Sequence, residues 1–318
     1  MPVRFLSPSL GGYSGFVEAR HWEEGAAFRR LSADEWFVGS QVRESAAPFG
    51  QPLLLNIYSL DATITYGVTD RVSVTMTVPF SRGAHSRFYA DGNRHTVKAA
   101  GMGDISGIAN IWLRRPSTAV SGNVALGLGL KTASGNNDVV DSFFLADGSV
   151  TKNPVDQSIQ LGDGGVGAIF QLQAYRKLAG DAVWYGYGWY LLTPREQTGV
   201  ASPLAGVSLS VPDVYSFRSG VSTPLWRRHG IAASFGPRLD GIPLRDFVGG
   251  SAGFRRPGYS LYLDPGIVVS SGRSTWSINV PVRVHQDFQR SLADVARGSA
   301  GGGDLAKYLV LLGYTVRF

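Results

Sequence analysis

The sequence predicts an all-β protein: a single antiparallel, up-and-down transmembrane β-barrel of about twelve strands, with long loops at one end and short turns at the other. Three observations predict it. Apolar residues recur at period two over long stretches, the connections between those stretches alternate between short and long, and no window holds the ~18 consecutive apolar residues of a spanning helix. Hydrophobic residues make up 44% of the 318 residues, yet mean hydropathy is +0.00, so apolar and polar side chains are finely interleaved. Glycine is abundant at 41 residues, and charged residues are only 17%, against ~25% in an ordinary soluble domain.

The alternation is clearest at the C-terminus. Tyr308, Val310, Leu312, Tyr314, Val316 and Phe318 form one face, and Lys307, Leu309, Leu311, Gly313, Thr315 and Arg317 the other. The pattern recurs in Val72–Phe80, in Val124–Lys131 and in Trp276–His285. The second face is rich in Gly, Ser and Ala with occasional Arg. A soluble sandwich would show Lys, Glu and Thr there, so this face reads as a crowded, wet interior.

Twelve strands are predicted at 13–22, 53–66, 71–80, 103–114, 121–131, 163–175, 183–193, 213–222, 230–240, 257–269, 274–285 and 307–318. The connections 67–70, 115–120, 176–182, 223–229 and 270–273 are short, whereas 23–52, 81–102, 132–162, 194–212, 241–256 and 286–306 are long. Short periplasmic turns against long external loops, with an even strand count, are the asymmetry of outer-membrane barrels. The expected organisation is therefore a barrel over 13–318, with 1–12 as an N-terminal periplasmic segment or plug, located in the cell outer membrane. An exported chain is expected to carry a signal. MPVRFLSPSLGGYSGF has no apolar h-region and no usual cleavage site, which read literally argues against export. The expectation is either a start placed too far downstream or a processed form with a new Met. Aromatics near the strand ends (Tyr13, Trp22, Tyr66, Phe80, Trp112, Tyr175, Trp184, Trp226, Tyr259 and Phe288) are expected to form interfacial girdles.

With the strands placed, several segments resemble the phenol meta-pathway outer-membrane transporter family: TYGVTDRVSVTMTVPF (65–80), GMGDISGIANIWL (101–113), FVGS (37–40) and GLGLKTASG (127–135). The likeness covers most of the chain and is weakest at the N-terminus. It implies an outer-membrane barrel passing aromatic or other small organic compounds, with no catalytic residues to carry over. LLGYTVRF also looks like the C-terminal signal read by the barrel assembly machinery, through Gly313, Val316 and Phe318, with Leu311 standing where a polar residue is usual.

The even–odd assignment names lumen-facing charges at Asp61, Arg71, Lys131, Arg218, Arg238, Asp264, Arg283, His285 and Lys307. Their expected roles are bracing of the wall by an Arg–Asp ladder through Arg218, Arg238 and Asp264, or guidance of anionic solutes by a basic stripe. A net charge of +6 fits an anion-attracting lumen, while basic runs no longer than two and the absence of zinc-finger spacing argue against nucleic acid. Cysteine is absent, which removes disulfides and thiolate chemistry.

Three motifs point elsewhere and are set aside. GDGGVG (162–167) has dinucleotide spacing, but VTKNPVDQSIQL precedes it and a period-two stretch follows it, where a buried strand and a helix are required. The oxygen-rich loop 134–148 lacks EF-hand spacing. The five histidines, His21, His85, His95, His229 and His285, form no zinc motif. No metal and no cofactor are expected, and the chain reads as a passive channel and not an enzyme. A barrel-borne lipid hydrolase and a non-transporting adhesion or scaffold barrel are the rival readings. Expected partners are outer-membrane lipid and lipopolysaccharide, the assembly machinery and a small-molecule solute. Open channels usually take ~16–18 strands, so a twelve-stranded lumen is expected to be narrowed further, by an inward loop or by the 1–12 segment.

Overall fold

The structure, a computed structural model, describes residues 16–202, 206–304 and 306–318. Sixteen hydrogen-bonded segments form one closed antiparallel sheet. Four pairs of segments continue one another along the same strand, which leaves twelve barrel strands among the described residues. They are β1 (Trp22–Ala33), β2 (Leu54–Gly67), β3 (Val72–Phe88), β4 (Arg94–Met102 and Ser106–Trp112), β5 (Gly122–Lys131), β6 (Gly167–Lys177), β7 (Val183–Leu192), β8 (Val214–Trp226), β9 (Ile231–Phe235 and Pro237–Ile242), β10 (Gly258–Leu263 and Gly266–Ser271), β11 (Ser274–Asn279 and Val282–Phe288) and β12 (Leu309–Arg317). Each strand pairs with the next, and β12 pairs with β1 from Glu23↔Arg317 to Leu31↔Leu309 to close the ring.

Closure satisfies the backbone groups that an open sheet edge would leave bare in lipid. The faces follow the predicted parity: on β2, Leu54, Tyr58 and Leu60 are exposed, whereas Leu55, Ile57, Ser59 and Asp61 are buried. The outward set is lipid-facing, as period two requires. Aromatic pairs mark its edges, with Trp22–Tyr66 at 4.5 Å and Trp276–Tyr314 at 4.2 Å near the periplasmic end, and Tyr190–Tyr215 at 6.4 Å near the other. Three of the predicted girdle aromatics face inward instead. Trp112 and Tyr175 line the lumen and Phe288 joins a buried cluster, because each carries the inward parity of its strand.

The first strand corrects the sequence reading. A strand was expected at 13–22 and a loop over 23–52; β1 instead begins at Trp22 and runs to Ala33. Its outward residues, Trp22, Glu24, Ala26, Phe28 and Arg30, include small and charged ones, so its alternation is faint. Pairing on both sides, with β2 and β12, sets its register in place of a strong pattern. Residues 1–15 lie outside the described set, and with them the predicted plug segment 1–12 and most of the predicted first strand.

Other strands outrun their predicted ends. β3 and the first half of β4 rise together as an external hairpin from Phe80↔Met102 to Phe88↔Arg94. At the other end the turns are tight; Gly272 opens the two-residue turn between β10 and β11 at φ +57, a conformation glycine accepts without strain. In β9, β10 and β11 the ladder is interrupted next to Pro237, Pro265 and Pro281, which have no N–H to donate.

The buried core sits inside the external half of the barrel. Leu31, Phe37, Leu55, Ile57, Val97, Ile159, Phe288, Leu309 and Leu311 belong to one cluster drawn from five strands and two loops.

Candidate functional site

The periplasmic half of the lumen is open. A cavity of about 1310 Å³ reaches the periplasmic mouth and is lined by inward residues of most strands. Its walls carry hydroxyls and amides that satisfy one another. Thr65 and Thr75 lie 2.9 Å apart, Gln171 donates to Asn110 at 2.8 Å, and Tyr187 donates to Gln171 at 3.1 Å. Neutral polar side chains at inward positions are what a water-filled interior tolerates at least cost.

Above the vestibule lies a charged layer. Arg218 on β8 pairs with Asp264 on β10 at 3.0 Å, across β9. Arg238 on β9 pairs with Asp240 two residues along the same face at 2.9 Å, and Ser216 donates to Asp240 at 2.6 Å. Asn279 adds a hydrogen bond to Asp264 at 3.1 Å. On the facing wall, Arg29 donates to Ser59 at 3.0 Å, beside buried Asp61. Each cation is matched, since a buried charge without a partner would cost several kcal/mol.

Lys131 sits higher and ties three elements together. Its ammonium donates to Asp104 at 3.1 Å, to Asp163 at 2.7 Å and to the Gly165 carbonyl at 2.6 Å. Asp104 also accepts from the Gly135 N–H at 2.9 Å. β4, β5 and both ends of the long β5–β6 loop are thereby joined at one point. GDGGVG therefore forms the approach to β6, which starts at Gly167, and its Asp163 is spent on Lys131.

The middle of that loop turns into the barrel. Val155, Asp156, Ser158, Ile159, Gln160 and Leu161 are all buried. Gln160 secures the base, accepting from the Val139 N–H at 2.9 Å and donating to the Val155 carbonyl at 3.2 Å. Asp156 pairs with Arg256 at 3.2 Å, and Arg256 also donates to the Gly302 carbonyl at 3.0 Å and stacks 4.6 Å over Trp36. Burial works against the charge of Asp156, yet Arg256 and the neighbouring His85 hold its carboxyl well below the usual carboxylate range. Glycines on the wall make the room. A Cβ at Gly83 would overlap Ile159, and one at Gly101 would press on Leu161.

Beside this segment, among the described residues, lie cavities of about 60 Å³. Each admits a few waters and no organic solute. Among the described residues the lumen is thus wide below and narrowed above by an inward loop; the predicted plug 1–12 lies outside them.

The predicted lumen charges divide by position. Asp61, Lys131, Arg218, Arg238 and Asp264 are buried inside the barrel. Arg283 points inward near the external rim, pairing with Glu35 at 2.6 Å, and Lys307 is an exposed rim residue 3.1 Å from the same carboxylate. Arg71 is exposed in the turn between β2 and β3, outside the lumen. His285 is exposed and leans toward Tyr259 at 5.8 Å. The reason is a bulge at Val284: Leu261 opposes His285 but Tyr262 opposes Arg283, so parity reverses there and Gln286 becomes the buried residue. Arg29, Asp240, Asp104 and Asp156 were not anticipated. Asp240 shares the parity of Arg238 and was legible; Arg29 was hidden by the misplaced first strand, and Asp104 and Asp156 lie outside regular pairing.

Of the residues resembling an assembly signal, Gly313 is buried on the lumen face of β12 and Val316 faces outward. Phe318 is exposed, and its backbone exchanges hydrogen bonds with Trp22, N–H to carbonyl at 2.9 and 3.3 Å. Among the described residues no group of three or more His, Asp or Glu could hold a metal ion.

No family model matches the chain, and no curated protein matches it either. Solved structures do. A crystal structure of an outer-membrane channel from Pseudomonas putida F1 aligns with a TM-score of 0.66, covering 99% of this chain and 100% of that one at 10% identity. A deletion mutant of the TodX monoaromatic hydrocarbon channel gives 0.49, with 98% and 96% covered at 10% identity. A Pseudomonas aeruginosa FadL homologue gives 0.44, with 94% and 90% covered at 8% identity. The first likeness, end to end at low identity, is one of fold. It agrees with the closed ring, the lipid-facing apolar set and the aromatic pairs, and the chain is an outer-membrane β-barrel.

Proposed function

We propose that this barrel is a passive outer-membrane channel for small organic compounds, aromatic and anionic ones among them. The observation that carries the reading is the large vestibule, which gives way above to the charged layer and then to one inward segment, 155–161. A barrel kept only as a scaffold has no use for a hollow half. Passage requires that segment to yield, because the cavities beside it are too small for a solute. It is the part of the lumen best placed to do so: it belongs to a loop, outside the hydrogen-bonded ladder that fixes the wall.

The resemblance of 65–80 and 101–113 to phenol meta-pathway transporters supports aromatic solutes, and the net charge of +6 supports anionic ones. The lumen charges Asp61, Lys131, Arg218, Arg238 and Asp264 then act first as braces. Each has an opposite charge nearby, Arg218 and Asp264 being each other's partner and Lys131 and Arg238 pairing with other carboxylates. This leaves little net field, so selectivity for anions falls to the constriction and the rim. No covalent step is needed, and the chain works without a cofactor. The test is planar-bilayer recording on the native barrel and on a variant with 155–161 replaced by a short Gly–Ser linker. The native barrel is expected to conduct weakly and the variant at least several-fold more. No conductance from either, with unchanged uptake of benzoate-like acids on deleting the gene, would sink the proposal.

A further inference from the structure

The lipid-facing surface is not uniform around the ring. Across β1 to β4 the registers align three outward rows. The lowest is Phe28, Leu60, Phe80 and Met102; the next is Arg30, Tyr58, Arg82 and Ala100; the highest is Ser32, Asn56, Ala84 and Lys98. Leu60, Phe80 and Met102 are exposed apolar residues, and Tyr58 between the two arginines is 41% exposed. Arg30, Arg82 and Lys98 are exposed as well.

None of these three cations is spent inside the protein. Among the described residues no side-chain hydrogen bond or ion pair engages Arg30, Arg82 or Lys98. Asp141, the carboxylate that approaches this edge, accepts the Lys98 backbone N–H at 2.9 Å and lies 3.6 Å from Lys152. Toward the same end of the barrel, β5 and β6 present Leu128, Leu130 and Phe170 outward, with no charge.

The depth is the second clue. Arg30 lies eight residues above Trp22 on β1, and a strand tilted by ~40° climbs roughly 20 Å over that length, close to the ~25 Å apolar band of such barrels. The arginine row therefore sits at the headgroups of the outer leaflet, with acyl chains below it. Arg30 and Arg82 flank Tyr58 at about two strand spacings, or ~10 Å, and Lys98 lies diagonally above Arg82. Guanidinium, ammonium, phenol and amide groups over an aromatic and aliphatic floor match an acylated, phosphorylated sugar.

We propose that the outer face of β1–β4 is a specific docking surface for the phosphorylated glycolipid of the outer leaflet. Arg30, Arg82 and Lys98 hold its phosphates, and Phe28, Leu60, Phe80 and Met102 receive its acyl chains. The proposal rests on the outer-membrane placement and not on the channel reading, so a barrel that conducts nothing would still bind the lipid.

Native mass spectrometry of the detergent-purified full chain, with added lipid A carrying both phosphates, tests it. The native barrel is expected to retain one lipid A, and R30Q/R82Q/K98Q to lower the retained fraction about tenfold. Fully dephosphorylated lipid A is expected to be lost from the native barrel, and R228Q, on a periplasmic turn, to bind as the native chain does. Should the triple variant fail the heat-modifiability check for a folded barrel, R30Q and R82Q singly give the same reading, each with about threefold loss. Equal retention by folded variant and native chain, equal retention of dephosphorylated lipid, or equal loss in R228Q would overturn the proposal.

Discussion

The two halves of the lumen share twelve strands and one alternation, yet differ in everything that fills them. Below the charged layer, inward positions carry Thr63, Thr65, Ser73, Thr75 and Gln173 around a cavity of about 1310 Å³. Above it, Leu31, Leu55, Ile57, Val97, Leu309 and Leu311 occupy the same parity and belong to one buried cluster with Ile159. The contrast comes from the connections. Periplasmic turns such as Gly272–Arg273 are too short to reach the axis, whereas the β5–β6 loop carries its own apolar and ionic residues into the barrel. A wall of given strand number sets how much room there is; loop composition decides whether the room is used.

Removing the anchor of the external half should have the largest effect. Arg256→Ala leaves Asp156 buried without its partner, which costs roughly 3–5 kcal/mol. Hydrogen exchange across 139–162 is expected to accelerate by two to three orders of magnitude, while β2 and β3 keep their protection. If wall and plug lost protection together, the two halves would be one cooperative unit and the comparison would fail.

Thr65→Val tests the other half. It deletes the 2.9 Å contact with Thr75, but water in the vestibule replaces the lost partner, so the change in stability should stay at or below about 1 kcal/mol. Heat-modifiability midpoints and single-channel conductance read the outcome. A collapse of conductance would mean that the vestibule wall, and not only the loop, limits passage.

The smallest effect concerns pH. Asp156 has a depressed folded-state pKa, so its contribution is present above the ordinary carboxylate value and lost only as pH falls through the depressed one. From pH 7 to about 4 the pair with Arg256 stays charged on both sides, and limited proteolysis of the β5–β6 loop should not change. Release of the loop near pH 5 would assign the latch to another group.

Strong alternation made most of the wall readable. β5 and β12 lie at or within a few residues of their expected ends because Leu126, Leu128 and Leu130, or Leu312 and Tyr314, face lipid opposite small lumen residues. β1 was missed for the converse reason: its outward Glu24, Ala26 and Arg30 dilute the signal, and its partners supply the register. His285 was assigned inward because a period-two count has no way to register the bulge at Val284, which depends on how β10 and β11 meet.

By itself the sequence determined the closed antiparallel barrel, its sidedness and the buried positions of Asp61, Lys131, Arg218, Arg238 and Asp264. These follow from period two and loop length, which are local properties of the chain. Only the tertiary structure decided that the β5–β6 loop fills the outer half, that its Asp156 meets Arg256 one hundred residues away, and that Arg30, Arg82 and Lys98 share one face. Such contacts depend on which strands become neighbours and how far each is shifted, and no local pattern encodes that.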